Sequence, residues 1–131
     1  TAAVVCFPGI FYRSGAEQKI RKYFVENNFI DCIISLPAGL FFGASIAVYI
    51  LILKKSKTDN NILFIDANSE WIPTQDRMTN SKKTKDLSAT NIQNILDLYA
   101  NRQDVEFRSR VVANNYIGEQ GYNLSVSTYV E

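Results

Sequence analysis

Apolar residues along this chain come in short, unbroken runs separated by polar stretches. Residues 2–7, Ala-Ala-Val-Val-Cys-Phe, form the first run and are closed by Pro8-Gly9. A run without polar alternation predicts a strand covered on both faces, as in a parallel sheet. Ser14 and Glu17 stand at the spacing of a capping box, and Ile20, Tyr23 and Phe24 follow at helical spacing. Together they predict a helix over 15–26, stopped by Asn27-Asn28. A second apolar strand is expected over 29–36, and the succession strand, helix, strand fits a right-handed βαβ crossover. The third, over 46–53, ends in Lys54-Lys55-Ser56-Lys57. The connection before it has about nine residues and no helical pattern, too short for a helical crossover, so strands two and three are expected to be antiparallel. Residues 61–66, Asn-Ile-Leu-Phe-Ile-Asp, read as a fourth strand.

Past that strand the pattern turns polar. Residues 68–88 read as a loop made basic by Arg77, Lys82, Lys83 and Lys85, with Trp71-Ile72-Pro73 as its apolar patch. Thr90 and Gln93 match a second capping box, and Ile92, Ile95, Leu96 and Tyr99 predict a helix over 91–101. Residues 110–112 and 122–129 read as short β-like pieces around Gly118 and Gly121. The expected organisation is an α/β sheet over 1–67, a basic polar loop over 68–88, and a helix and tail over 89–131 packing on the sheet.

Composition narrows the chemistry. Charged residues make up 21% and apolar ones 47%, an ordinary globular balance, and the net charge of +1 implies neither nucleic acid nor membrane by itself. The chain contains no histidine, and its two cysteines, Cys6 and Cys32, fall inside apolar runs without metal-ligand spacing. A zinc site and a histidine-based triad within this chain are therefore excluded, and the cysteines read as buried thiols of a cytoplasmic protein. The longest apolar run is far short of the roughly 20 residues that cross a bilayer, so no membrane partner is expected. The chain starts at Thr1, and its sole methionine is Met78. It reads as a piece of a longer polypeptide.

The ordered stretches "AVVCFP", "GAEQKIRKYFVENNFIDCIISLPAGLFFGASIAVYILILKK" and "NILFIDA" closely resemble the modification subunit of type I restriction–modification systems. The match is specific over residues 2–67; the later helix and "YNLSVSTYV" are similar to that family in a looser way. The resemblance implies an adenine-N6 DNA methyltransferase that uses S-adenosylmethionine. It also implies the C-terminal part of a Rossmann-like sheet, mixed and mostly parallel with one antiparallel strand, followed by a helical segment. The implied partners are DNA, a specificity subunit and a restriction subunit. The family's glycine-containing cofactor motif and its Asn-Pro-Pro-Phe catalytic motif do not occur here; Pro8, Pro37 and Pro73 follow Phe7, Leu36 and Ile72. The resemblance therefore assigns no catalytic and no cofactor-binding residue to this chain, which by itself is expected to be inactive.

Within the family, the connection "LPAGLFFGAS" lies beside the pocket that receives the extruded adenine. Phe41 matches an aromatic packed against that base, with Phe42 beside it; the bland reading is that both rings plug the core edge. Arg77, Lys82, Lys83 and Lys85 are candidate contacts to DNA phosphates, against a plain solvated loop. Two other readings compete. One is a non-catalytic module docking a partner through the helix from Asn91 and the tail. The other is a small α/β enzyme using Asp66 or Glu70 as base, which lacks any nucleophile-plus-base arrangement. The first strand is also expected to expose an unpaired apolar edge through which the isolated chain self-associates.

Overall fold

The computed structural model describes residues 1–40, 47–73 and 85–130. The apolar runs become strands β1 (Ala2–Cys6), β2 (Ile30–Ser35), β3 (Tyr49–Leu53) and β4 (Asn61–Asp66). A further strand, β7 (Ser109–Ala113), completes a five-stranded sheet in the order β1-β3-β2-β4-β7. β2 and β3 are antiparallel, as the short connection requires. β1 is also antiparallel to β3, so β1 and β2 run the same way with β3 between them. The mixed sheet is as expected, but its balance differs: among the described residues β2–β4 is the one parallel pairing, and β7 joins β4 antiparallel. The tail supplies that second reversed strand because the outer edge of β4 offers unpaired backbone and Val111-Val112 a matching apolar pair.

β2 and β4 form the centre. Every residue of β2 is buried, and Ile33, Leu63, Phe64 and Ile65 are fully enclosed. Burying side chains of this size is worth about 1.5–3 kcal/mol each. One face of the sheet, with Ile33, Tyr49, Phe64 and Val112, packs against α1 (Ala16–Glu26), α3 (Asn114–Glu119) and α4 (Val126–Tyr129). The other face, with Cys32, Ile34, Leu63 and Ile65, packs against α2 (Ala89–Asn101) and the residues Leu36, Leu40 and Val48. The guanidinium of Arg21, buried on α1, donates to the carbonyls of Ile10 and Tyr122 at 2.8 Å each and ties the tail to α1 and to the turn after β1.

Four expectations change. β1 is not covered on both faces: it is an edge strand, with Val4 44% and Val5 56% exposed. The first helix is capped by Gly15 at φ 85°, so Ser14 stands one residue outside and makes no cap bond. Glu17 faces Arg13 at 4.0 Å instead. The second helix starts at Ala89, and its capping box is Ser88 with Asn91: Ser88 Oγ accepts from the Asn91 amide at 3.1 Å, and the Ser88 amide donates to Asn91 Oδ1 at 3.0 Å. Gln93 bonds Asp97. Residues 122–129 are a turn and the short α4 rather than β-like, because Gly121 and Tyr122 both take positive φ and bend the chain away from the sheet.

Candidate functional site

β1, β2 and β4 run in one direction, so their carboxyl ends lie at one end of the sheet, the end where open α/β sheets bind ligands. The chain leaving β2 and the chain leaving β4 are stitched together there. The Ala67 amide donates to Ser35 O at 2.9 Å, and Asn68 Nδ2 donates to Ser35 Oγ at 3.0 Å and to Asp66 Oδ1 at 2.7 Å. The Asn68 amide also reaches Asp66 Oδ1, at 3.0 Å. The Tyr49 hydroxyl also meets the Ser35 side chain, and burial raises its pKa; its ring stacks on Phe11 with centroids 4.9 Å apart.

Glu70 continues this rim. Its Oε1 accepts from Asn94 at 3.2 Å and from Asn91 at 3.5 Å, both on α2. Asp66 and Glu70 are thus each engaged in holding a turn or a helix start, which fits structural roles rather than that of a general base. Next comes a two-stranded ribbon, β5 (Ile72–Pro73) with β6 (Lys85–Asp86).

Phe41, Phe42, Arg77, Lys82 and Lys83 lie outside the described residues. Their flanks are described, and the fold brings those flanks together. The segment of Phe41 departs from Gly39 and Leu40, both buried, with Gly39 at φ 83°. The basic segment 74–84 starts and ends on the β5–β6 ribbon. The Lys85 amide donates to Gly39 O at 3.0 Å, joining the two. Lys85, the one described member of the basic set, holds its ammonium 4.3 Å from the centre of the Trp71 ring. Sequence reasoning found Lys85 and noted Trp71 but missed their contact, which depends on the register of the ribbon.

The opposite end of the sheet is built differently. Asp31, at the start of β2, is 5% exposed. Its carboxylate meets Arg102 Nη1 at 3.1 Å and the Tyr99 hydroxyl at 2.5 Å, and the bond to Asp31 pushes the pKa of Tyr99 up to about 12. Lys57, its side chain 3% exposed, donates to the carbonyls of Ile30 and Asn61, bridging β2 and β4; burial lowers its pKa. A groove of about 350 Å³ beside this cluster includes Lys54, Ser56 and Asp59. Among the described residues no group of three histidine, cysteine, aspartate or glutamate side chains is placed to hold a metal. None of the described helices is long and apolar enough to cross a membrane.

The N-6 DNA methylase family matches residues 1–131. The methylase subunit of the type I restriction enzyme MpnII from Mycoplasma pneumoniae is 43% identical over 131 residues, which is 99% of this chain and 23% of that protein. The MjaVII methylase subunit from Methanocaldococcus jannaschii is 38% identical over 97% of this chain and 22% of its own length. Among solved structures, the type I restriction-modification system methyltransferase subunit from Streptococcus thermophilus superposes with a TM-score of 0.90 at 33% identity, over 98% of this chain and 26% of that one. The chain thus spans less than a quarter of the length of the curated relatives it matches.

Proposed function

Because the chain belongs to the N-6 DNA methylase family, we propose that its full-length protein is the methylase subunit of a type I restriction–modification system. That protein transfers a methyl group from S-adenosylmethionine to adenine N6 in DNA. It works in the cytoplasm with DNA, a specificity subunit that reads the target and a restriction subunit. The 131 residues contribute part of the base-receiving side of that enzyme. S-adenosylmethionine supplies the methyl group, and no residue of this chain is assigned to hold it, since neither the cofactor motif nor Asn-Pro-Pro-Phe occurs in the sequence.

The family match over residues 1–131 carries the methylase reading, and the Lys85–Gly39 hydrogen bond supports its base-receiving part. That bond ties the root of the basic segment to the root of the aromatic one, at the end of the sheet where substrates meet α/β folds. An adenine must leave the duplex to be methylated. Phe41 would stack on the extruded base, a contact worth about 1–3 kcal/mol, and Phe42 would line the same pocket. Arg77, Lys82, Lys83 and Lys85 would meet neighbouring phosphates and displace their counterions.

The test is a methylation assay on the full-length protein with its partner subunits, labelled S-adenosylmethionine and unmethylated duplex, followed by digestion to nucleosides. Label on N6-methyladenine is expected; label on cytosine, or none, would overturn the reading. The isolated 131 residues should transfer no label above a control without protein. They should self-associate through the free edge of β1, where Val4 and Val5 are exposed. A monodisperse monomer by light scattering at high concentration contradicts that last point.

A further inference from the structure

The β5–β6 ribbon is too small to hold itself. Two residues per strand make a marginal pair, and Pro73 has no amide hydrogen to donate to its partner Lys85. The Lys85 amide is turned away, toward Gly39. The Lys85 ammonium over the face of Trp71, well inside the range of a cation–π contact, adds a side-chain contact to the Ile72–Asp86 and Pro73–Lys85 pairing.

The backbone just before Trp71 is anchored. The neighbouring Glu70 is held by Asn91 and Asn94 in the first turns of α2, a helix whose start the Ser88–Asn91 box secures. On the other side Gly39 leads into Leu40, which is 8% exposed in the same apolar layer that takes Leu87. A continuous path therefore runs from α2 through Glu70, Trp71 and Lys85 to Gly39.

We propose that Trp71 and Lys85 form a clamp that positions Gly39 and Leu40, fixing them against the layer that includes α2. Lys85 thereby acts as a positioning residue in addition to any contact with phosphate. The functional part of this inference rests on the methyltransferase reading. Trp71 carries no charge, so its substitution separates positioning from phosphate binding.

In the full-length protein, Trp71→Leu should lower the single-turnover methylation rate about two- to fivefold, the size an exposed cation–π contact supports. KM for DNA and the slope of affinity against salt should stay unchanged. Trp71→Tyr, which keeps an aromatic face, should hold the wild-type rate. The double variant Trp71→Leu/Lys85→Gln should be no slower in single turnover than Lys85→Gln. A wild-type rate in Trp71→Leu, or a Trp71→Tyr variant as slow as Trp71→Leu, would overturn the positioning role. Amide exchange reads the clamp without any catalysis. Trp71→Leu should speed exchange in peptides covering residues 36–40 and 85–88 and leave β2 and β4 as they were. Unchanged exchange there sinks the clamp whether or not the wild-type protein methylates DNA; a wild-type protein that transfers no label while the exchange effect stands overturns only the methyltransferase reading.

Discussion

The two ends of the sheet use charge in opposite ways. At the amino ends of β2 and β4, Asp31, Arg102, Tyr99 and Lys57 are engaged with one another and with backbone carbonyls. At the carboxyl ends the bonds run between loops: Asn68 to Ser35, Lys85 to Gly39, Glu70 to α2. These bonds hold the roots of an aromatic and a basic segment close together. A partly buried ion pair ties one end together, and bonds between loops stitch the other.

The difference predicts a hierarchy of effects. The largest belongs to the amino end. Asp31→Ala removes the acceptor of both Arg102 and Tyr99 and should cost about 3 kcal/mol, the low end for a broken buried pair because Arg102 keeps part of its exposure. It should leave the methylation rate per folded full-length protein intact. Urea unfolding reads the first quantity; a loss below about 1 kcal/mol, the value of an exposed pair, would erase the contrast between the ends.

Alkaline unfolding comes next. Tyr99 is raised from its ordinary 10 to about 12 by the bond to Asp31, and Tyr129 to about 12 by burial. Burial also raises the Cys32 thiol. In each case the folded state keeps a proton that the unfolded chain releases sooner. The associated stability is complete below the unfolded values and disappears as pH climbs through the folded ones. Stability should therefore fall between pH 10 and about 12, with an earlier contribution from Cys32 starting near 9. Tyr99→Phe, which removes the hydroxyl, should flatten part of that fall in a urea series taken at rising pH. An unchanged slope would detach Tyr99 from the Asp31 cluster.

The smallest effect separates two capping signals. Ser88→Ala should cost about 1 kcal/mol, while Ser14→Ala should cost nothing measurable by thermal melting. Equal losses would mean that Ser14 caps after all.

That contrast also marks how much of the molecule the sequence made legible. The central strands were plain because Ile33-Ile34 and Leu63-Phe64-Ile65 form runs that a sheet buries on both faces, and the antiparallel β3 followed from connection length. The caps were misplaced because Ser14-Glu17 and Thr90-Gln93 match by residue type. Gly15 and Ser88 win by backbone geometry, and Asn91 does the work usually given to a glutamate or glutamine. The tail misled for a similar reason: Leu124 and Val126 alternate like a strand, but β7 already fills the edge of β4. The run Leu40-Phe41-Phe42 and the basic residues around Lys85 stood out in the sequence, and the resemblance to the family gave the aromatic run its proposed role. The Trp71–Lys85 contact did not stand out, since it exists only in one register of a two-residue ribbon. The Asp31 cluster joins residues 68 and 71 positions apart, beyond any local pattern.

The central claim is that the carboxyl-end rim receives the substrate base. Phe41→Ala in the full-length protein tests it most directly, with thermal melting and single-turnover methylation measured on the same preparation. The account predicts a rate lower by about tenfold to a hundredfold, the loss of about 1–3 kcal/mol of base stacking, with little change in melting. A melting loss equivalent to about 3–5 kcal/mol with a normal single-turnover rate would contradict it and make Phe41 an ordinary core residue.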